Sequence, residues 1–163
     1  MSSTFFVSGV VTAYRTDDVK YASPSEFGRA GALSGSTAAK AVAVRTQSAT
    51  VQRNIKELVM FASYAEGLEM LKSGKIDTLT ADSQLLPTDP AIAVRRQQIT
   101  VEPYALMMRK GDTALVKAVD QALVSIMLTP AISTWAANAK LRVNYMTRDA
   151  WVHPGRTPAP PQF

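Results

Sequence analysis

The side chains able to do chemistry are few. Cysteine is absent and the single histidine, His153, lies in a proline-rich stretch. Disulfides, thiolate metal sites and histidine-based dyads therefore lack material, and no metal or other cofactor is expected. What remains is one carboxylate, Asp82, at the end of an apolar run over residues 76–81, and one hydroxyl-rich cluster, Thr46-Gln47-Ser48-Ala49-Thr50. Open α/β sheets bind ligands just beyond the carboxyl ends of their strands. A carboxylate at such a tip is a candidate partner for an ammonium group through a charge-assisted hydrogen bond; Asp82 could equally cap a short turn over residues 83–86. A short buried strand at residues 41–44, then the hydroxyl-rich turn, then a helix to about residue 58 would make an anion-binding corner. Free backbone N–H groups and the positive end of the helix dipole meet there. Ser48 and Thr50 are its candidate contacts, with Ser48 or Thr46 as a plain N-cap the competing reading. Proton transfer between Asp82 and Glu102 is conceivable. No nucleophile–base pair or metal-ligand cluster stands at motif spacing, so no enzyme is expected.

The elements that must position these groups centre on residues 63–82, SYAEGLEMLKSGKIDTLTAD. Ala65, Leu68 and Leu71, with Met70 less well placed, form the apolar side of a helix, and Glu66, Glu69 and Lys72 the polar side. Gly74 stands where a left-handed C-cap is wanted, with Lys72 and Lys75 beside the negative end of the helix. Asp77 is expected to start the following strand and to hydrogen-bond a turn. Residues 4–15 read as a strand, in which Gly9 marks a bend or a close backbone approach. Residues 16–40 are polar and small, with a helix start at Ser23-Pro24-Ser25-Glu26. Residues 58–61 and 101–109 read as strands, and residues 91–94 and 97–100 as weaker ones. A helix is expected over residues 113–128, with Leu115, Val119, Ala122, Leu123 and Ile126 as its apolar stripe. A second opens at Pro130 and carries Ile132, Trp135 and Ala136 on one face. Tyr104, Trp135 and the Met107-Met108 pair are expected to pack. The prolines of residues 147–163 predict an extended tail.

The stretch 63–82 resembles the signature of the smaller lobe of periplasmic amino-acid-binding proteins, the solute receptors of polar-amino-acid ABC importers. Their form aeamxxLxsGxiDaxxxD stands here, without gaps, as Ala65-Glu66-Gly67-Leu68 through Leu71, Ser73-Gly74, Asp77 and Asp82. Residues 4–15 are similar to the family's hinge strand yyxxGxxlxxr. Pro103-Tyr104-Ala105-Leu106 through Arg109-Lys110-Gly111-Asp112 resembles its return strand pyxiaxrKgd. The helices that follow resemble its closing pair, which ends in a tryptophan. The family's VAVxxGTT corner is matched by Ser48 and Ala49 at the Thr-Thr pair, with Gln47 where glycine usually stands. Gln47 denies the close backbone approach that glycine allows, and Ala49 removes a hydroxyl.

The resemblance implies an α/β fold: a type 2 periplasmic-binding lobe, truncated, with a central sheet of about five strands flanked by helices. It implies reversible binding of a polar amino acid or similar zwitterion, with Asp82 on the ammonium and the Ser48–Ala49 corner on the carboxylate. An ABC permease is the implied partner if the chain is exported. The organisation expected is a hinge-type strand (1–15), a small-lobe α/β domain (16–101), a return strand with C-terminal helices (102–146) and a proline-rich tail (147–163). The family's first lobe, which carries an aromatic pocket and an arginine clamp, has no counterpart in the matched stretch. The C-terminal helices then present an apolar face, and self-association through them is expected, giving a homo-oligomer. The alternative function is a ligand-free lobe acting as an oligomerisation or interaction module. By resemblance the location is periplasmic; a natural truncation without a signal peptide would stay in the cytoplasm, and no such peptide is legible at the N-terminus.

Composition narrows the classes. Hydrophobic residues make up 47% and charged residues 19% of 163, so a core can form. No run of about 18 apolar residues is present. The net charge of +5 comes from scattered Lys and Arg, without a basic face interleaved with aromatics, which argues against nucleic-acid binding.

Overall fold

The computed structural model describes residues 1–45 and 54–156. The chain divides into two compact units, residues 9–100 and residues 1–8 with those from Val101 onward. It passes from β1 (Phe6–Ser8) into β2 (Val10–Arg15) at Gly9. A Cβ on Gly9 would collide with the carbonyl oxygen of Thr100 and the side chain of Gln98. The close approach expected of this glycine is therefore real, and alanine would break it.

The unit of residues 9–100 is built on a five-stranded sheet. Its strands are β2, β3 (Gly28–Leu33), β4 (Ile55–Phe61), β5 (Thr78–Asp82) and β6 (Ile92–Val94), in the order β4-β3-β5-β2-β6. β4, β3 and β5 run parallel, and β2 runs antiparallel between β5 and β6. Among the described residues the parallel crossovers carry α1 (Thr37–Arg45) and α2 (Tyr64–Lys72). On one face Leu79 and Ala81 of β5 join Val11, Ala13, Phe61, Leu71 and Ile76 in the main core. Phe27, Ala30 and Val42 form the core beneath α1. Phe61 and Gly67 fix how closely α2 sits: a Cβ on Gly67 would lie 2.6–2.8 Å from the Phe61 ring. The loop before β3 is held by buried Arg95. Its guanidinium donates to the carbonyls of Tyr21 (2.8 Å), Pro24 and Glu26, and stacks 4.9 Å from the Phe27 ring centre.

Several expectations differ from the structure. Residues 41–44 are not a strand; they lie in α1. The strand is β3, inside the stretch read as a connection. Its small residues answer to packing rather than to strand propensity, since Gly31 lies so close under Ile76 that a Cβ would overlap it. The helix expected to reach residue 58 is also excluded, because β4 starts at Ile55. Residues 97–100 form no strand, and the strand read over residues 101–109 is only β7 (Glu102–Tyr104).

Asp77 holds more than a turn. Its carboxylate accepts from the backbone N–H of Arg29 (2.8 Å) and from that residue's guanidinium (3.1 and 2.8 Å), with Arg15 3.9 Å away. Arg29 also donates to the Gly74 carbonyl, and Arg15 to those of Leu71 and Ile76. These arginines thus cap the C-terminal end of α2, where carbonyls lack helical donors. Gly74 closes that end at φ +75°, a left-handed turn that glycine adopts at no steric cost.

In the second unit β1 pairs antiparallel with β7, in the register Phe6–Tyr104, Val7–Pro103 and Ser8–Glu102. α3 (Thr113–Met127), α4 (Ala131–Asn138) and α5 (Tyr145–Val152) complete it. Phe6, Met127, Ala136 and Trp151 form its core. Residues 147–152, read as extended tail, are helical: Asn144 caps α5 by accepting the Thr147 N–H at 2.8 Å, and Trp151 anchors it. Trp135 and Met107, expected to pack, are exposed.

Two consequences can be measured. Gly67→Ala removes a helix-weakening glycine, normally a gain of roughly 0.5–1 kcal/mol. Here it should instead destabilise by about 1–3 kcal/mol, as overpacking does, and urea unfolding reads the sign. The Asp77 carboxyl is held below its ordinary range, chiefly by its hydrogen bonds to Arg29 and further by Arg15, against the opposing effect of burial. A depressed carboxylate contributes stability that is complete above the unfolded value of about 4 and is lost as the pH falls through the folded value. Asp77→Asn should therefore cost about 2 kcal/mol at neutral pH, as for loss of a charge-assisted acceptor. The gap between the two unfolding midpoints should close as the pH falls below about 4.

Candidate functional site

β3 and β5 are parallel neighbours, with Ala32 level with Thr80, and Leu33 of β3 is level with Phe61 of β4. All three strands therefore end at one edge of the sheet. β2 begins there, with Val10 paired to Asp82. This register places the tip of β5 beside the turn that leaves β3.

That turn is residues 34–36. The Ser34 N–H donates to the Phe61 carbonyl at 3.0 Å, and Gly35 is exposed and left-handed at φ +75°. Ser36 caps α1: its hydroxyl accepts the Ala39 N–H at 3.1 Å and donates to the Leu33 carbonyl at 2.7 Å. The first-turn N–H groups of Thr37 and Ala38 have no intrahelical acceptor. They point out of the positive end of the helix, where an anion is favoured. The start of α2, at the same edge, is closed by its own residues. Ser63 accepts the Glu66 N–H at 3.2 Å, and Glu66 accepts the Ala62 N–H at 2.9 Å, a reciprocal capping box.

Asp82 ends β5 half-buried. Its carboxylate accepts the Gln84 N–H at 2.8 Å and caps the short 3-10 turn Ser83–Leu85. The Ser83 N–H donates to the Gly9 carbonyl at 3.0 Å. The capping reading of Asp82 is thus correct, and it leaves the carboxylate fixed at the ligand-binding edge of an α/β sheet. A carboxylate tip beside a helix N-terminus suits a small molecule with a positive and a negative end.

Gln47, Ser48, Ala49 and Thr50 lie outside the described residues. Among those described, the strand–turn–helix corner is residues 33–37. The signal for it was present in the tripeptide Gly35-Ser36-Thr37, which carries the glycine that Gln47 replaces in the other alignment. Glu102 belongs to the other compact unit. Among the described residues no three His, Asp or Glu side chains cluster as metal ligands would.

No protein-family model matches the chain. In sequence it is 30% identical over 96 residues to the ABC transporter glutamine-binding protein GlnH of Bacillus subtilis, covering 56% of this chain and 33% of that protein. In structure it is similar to the amino acid ABC transporter substrate-binding protein AbpA of Streptococcus pneumoniae bound to L-arginine. That match has a TM-score of 0.60 and 18% identity, over 85% of this chain and 59% of the other. An ancestral cationic amino acid solute-binding protein superposes at 0.63 with 19% identity, over 92% of this chain and 60% of the other. Another structure of that same ancestral protein, described there as a precursor of cyclohexadienyl dehydratase, superposes at 0.61 with 18% identity, over 84% of this chain and 59% of the other. The chain thus spans a third of the curated relative and about 60% of the solved ones. The fold is that of a type 2 periplasmic-binding lobe, and over part of their length the chain resembles the amino-acid-binding proteins of ABC importers.

Proposed function

We propose that the chain binds a polar amino acid or similar zwitterion, reversibly and without chemistry, as the solute-binding component of an ABC importer or a relative of one. The observation that carries this reading is the register that puts Asp82 beside the Ser34–Thr37 turn. Asp82 takes the ammonium group. The carboxylate takes the first-turn N–H groups of α1, so the role first read onto Gln47, Ser48, Ala49 and Thr50 passes to Ser36 and Thr37. Such a component works outside the cytoplasmic membrane and hands its ligand to a permease. Affinity comes from enclosure as much as from these contacts.

Calorimetric titration of the chain with arginine, glutamine and a panel of other amino acids tests it. A saturable heat is expected. Asp82→Asn should weaken it by roughly 10–100-fold, the loss of one charge-assisted hydrogen bond. Equal heats from the folded variant and the parent would remove Asp82 from the site. No heat from a well-folded parent would end the binding reading.

A second reading is supported by Leu128, 62% exposed at the C-cap of α3, and Trp135, 55% exposed on α4. Large apolar side chains in such positions seek a partner surface. On this reading the unit self-associates through its C-terminal helices and binds nothing small. Light scattering should then show an oligomer without ligand, reduced to monomer by Leu128→Glu with Trp135→Glu. A monomeric parent at high micromolar concentration would rule it out.

A further inference from the structure

The segment before Arg15 contains no charged residue and no proline, and it includes Phe5-Phe6-Val7. Such segments pair readily with other strands when their edges are open. β1 lies within it and, among the described residues, pairs with β7 alone. Its other edge is occupied by side chains of α5. The Val7 N–H donates to the Thr147 hydroxyl at 3.0 Å, and that hydroxyl donates back to the Val7 carbonyl at 2.9 Å. The Asn144 amide donates to the same carbonyl at 2.8 Å, and the Trp151 indole donates to the Phe5 carbonyl at 2.7 Å. Thr147 thus gives and receives at Val7 as a neighbouring strand would, and it is fully buried. Met146 and Ala150 pack on Val7 to close the seal. The outward position of β7 opposite Val7 is Pro103, which has no N–H to offer an incoming strand.

We propose that α5 is a guard on the edge of β1, and that its displacement lets β1 pair with β1 of a second copy of this chain. The occupant follows from the edge itself. An antiparallel pair of identical strands is two-fold symmetric. With the axis at Val7, each Val7 N–H meets the Val7 carbonyl of the other copy, replacing both bonds that Thr147 now makes. The flanking phenylalanines and the absence of charge leave nothing to repel the copy.

The test is the full chain carrying Thr147→Val and Asn144→Asp. Valine keeps the shape of threonine without its hydroxyl; aspartate keeps the N-cap of α5 but cannot donate to Val7. Hydrogen exchange of the Val7 amide should quicken at least tenfold, while amides of α3 and β5 keep their rates. At equal concentration the variant should gain a dimer over the parent, with the amide I band of intermolecular β-structure. The inference is overturned if Val7 stays protected, if exchange quickens without a new dimer and its β-band, or if the α3 amides quicken in step with Val7. That last outcome would mean that α5 serves packing alone.

Discussion

The carboxylate of Asp77 is the point on which the sheet of residues 9–100 depends. It is nearly buried and meets two arginines from two different strands, Arg29 of β3 and Arg15 of β2. A buried charge left without such partners would be costly. Both arginines also donate to carbonyls around the end of α2 and the turn after it, and Arg15 pairs with Asp18 besides. One knot therefore sets the β3–β5 register, the end of α2 and the start of β5. A slip of one residue along β5 would exchange its two faces. Leu79 and Ala81 would leave the main core, and Asp82 would no longer stand level with the turn after β3. The geometry at the tip of β5, where Asp82 stands, is thus decided at the opposite edge.

The two faces of β5 show how finely that register is drawn. Leu79 and Ala81 lie in the core shared with Leu71 and Phe61. Thr78 and Thr80 point the other way and are fully buried. Their hydroxyls are accommodated: Thr78 donates to the Phe27 carbonyl at 2.7 Å, and Thr80 meets Thr12 at 3.5 Å. Buried polar groups need such partners. On this face the helix offers small residues, Ala38, Ala39 and Val42, so a short separation replaces bulk as the source of packing contacts.

Legibility in the sequence followed from how far local chemistry alone determined each element. Residues 63–82 were readable because an amphipathic helix, a left-handed glycine and an apolar strand each carry their own signal, and all agree. Residues 28–45 misled for the converse reason. Gly28, Ala30, Gly31 and Ala32 are strand residues chosen for close approach. The alternation Ala41-Val42-Ala43-Val44 mimics a strand, though alanine favours the helix it actually forms. Asp82 was readable as a position but not as a choice between cap and ligand contact, because one carboxylate at a strand tip serves either. The helix α5 was hidden by the prolines beyond it, while its real markers, the Asn144 cap and Trp151, act through contacts with β1 far away in sequence. The partner of Asp77 was hidden likewise, since Arg29 lies 48 residues away.

Binding at the edge of this sheet also has an energetic limit. A zwitterion held by Asp82 and the first turn of α1 would gain a charge-assisted hydrogen bond at each end, roughly 1.5–3 kcal/mol apiece. Against this stands the loss of translational and rotational freedom, about 4 kcal/mol at the least. The difference, about 2 kcal/mol at most, falls short of the roughly 4 kcal/mol that millimolar affinity needs. Burying most of the ligand's surface is what raises affinity in small-molecule sites, and a single exposed strand edge cannot do that. Tight binding by this chain would therefore require a second surface to close over Asp82 and the Ser34–Thr37 turn. The affinity of any measured binding accordingly carries information separate from its presence: micromolar binding means that the edge is covered, and binding weaker than millimolar means that it acts alone.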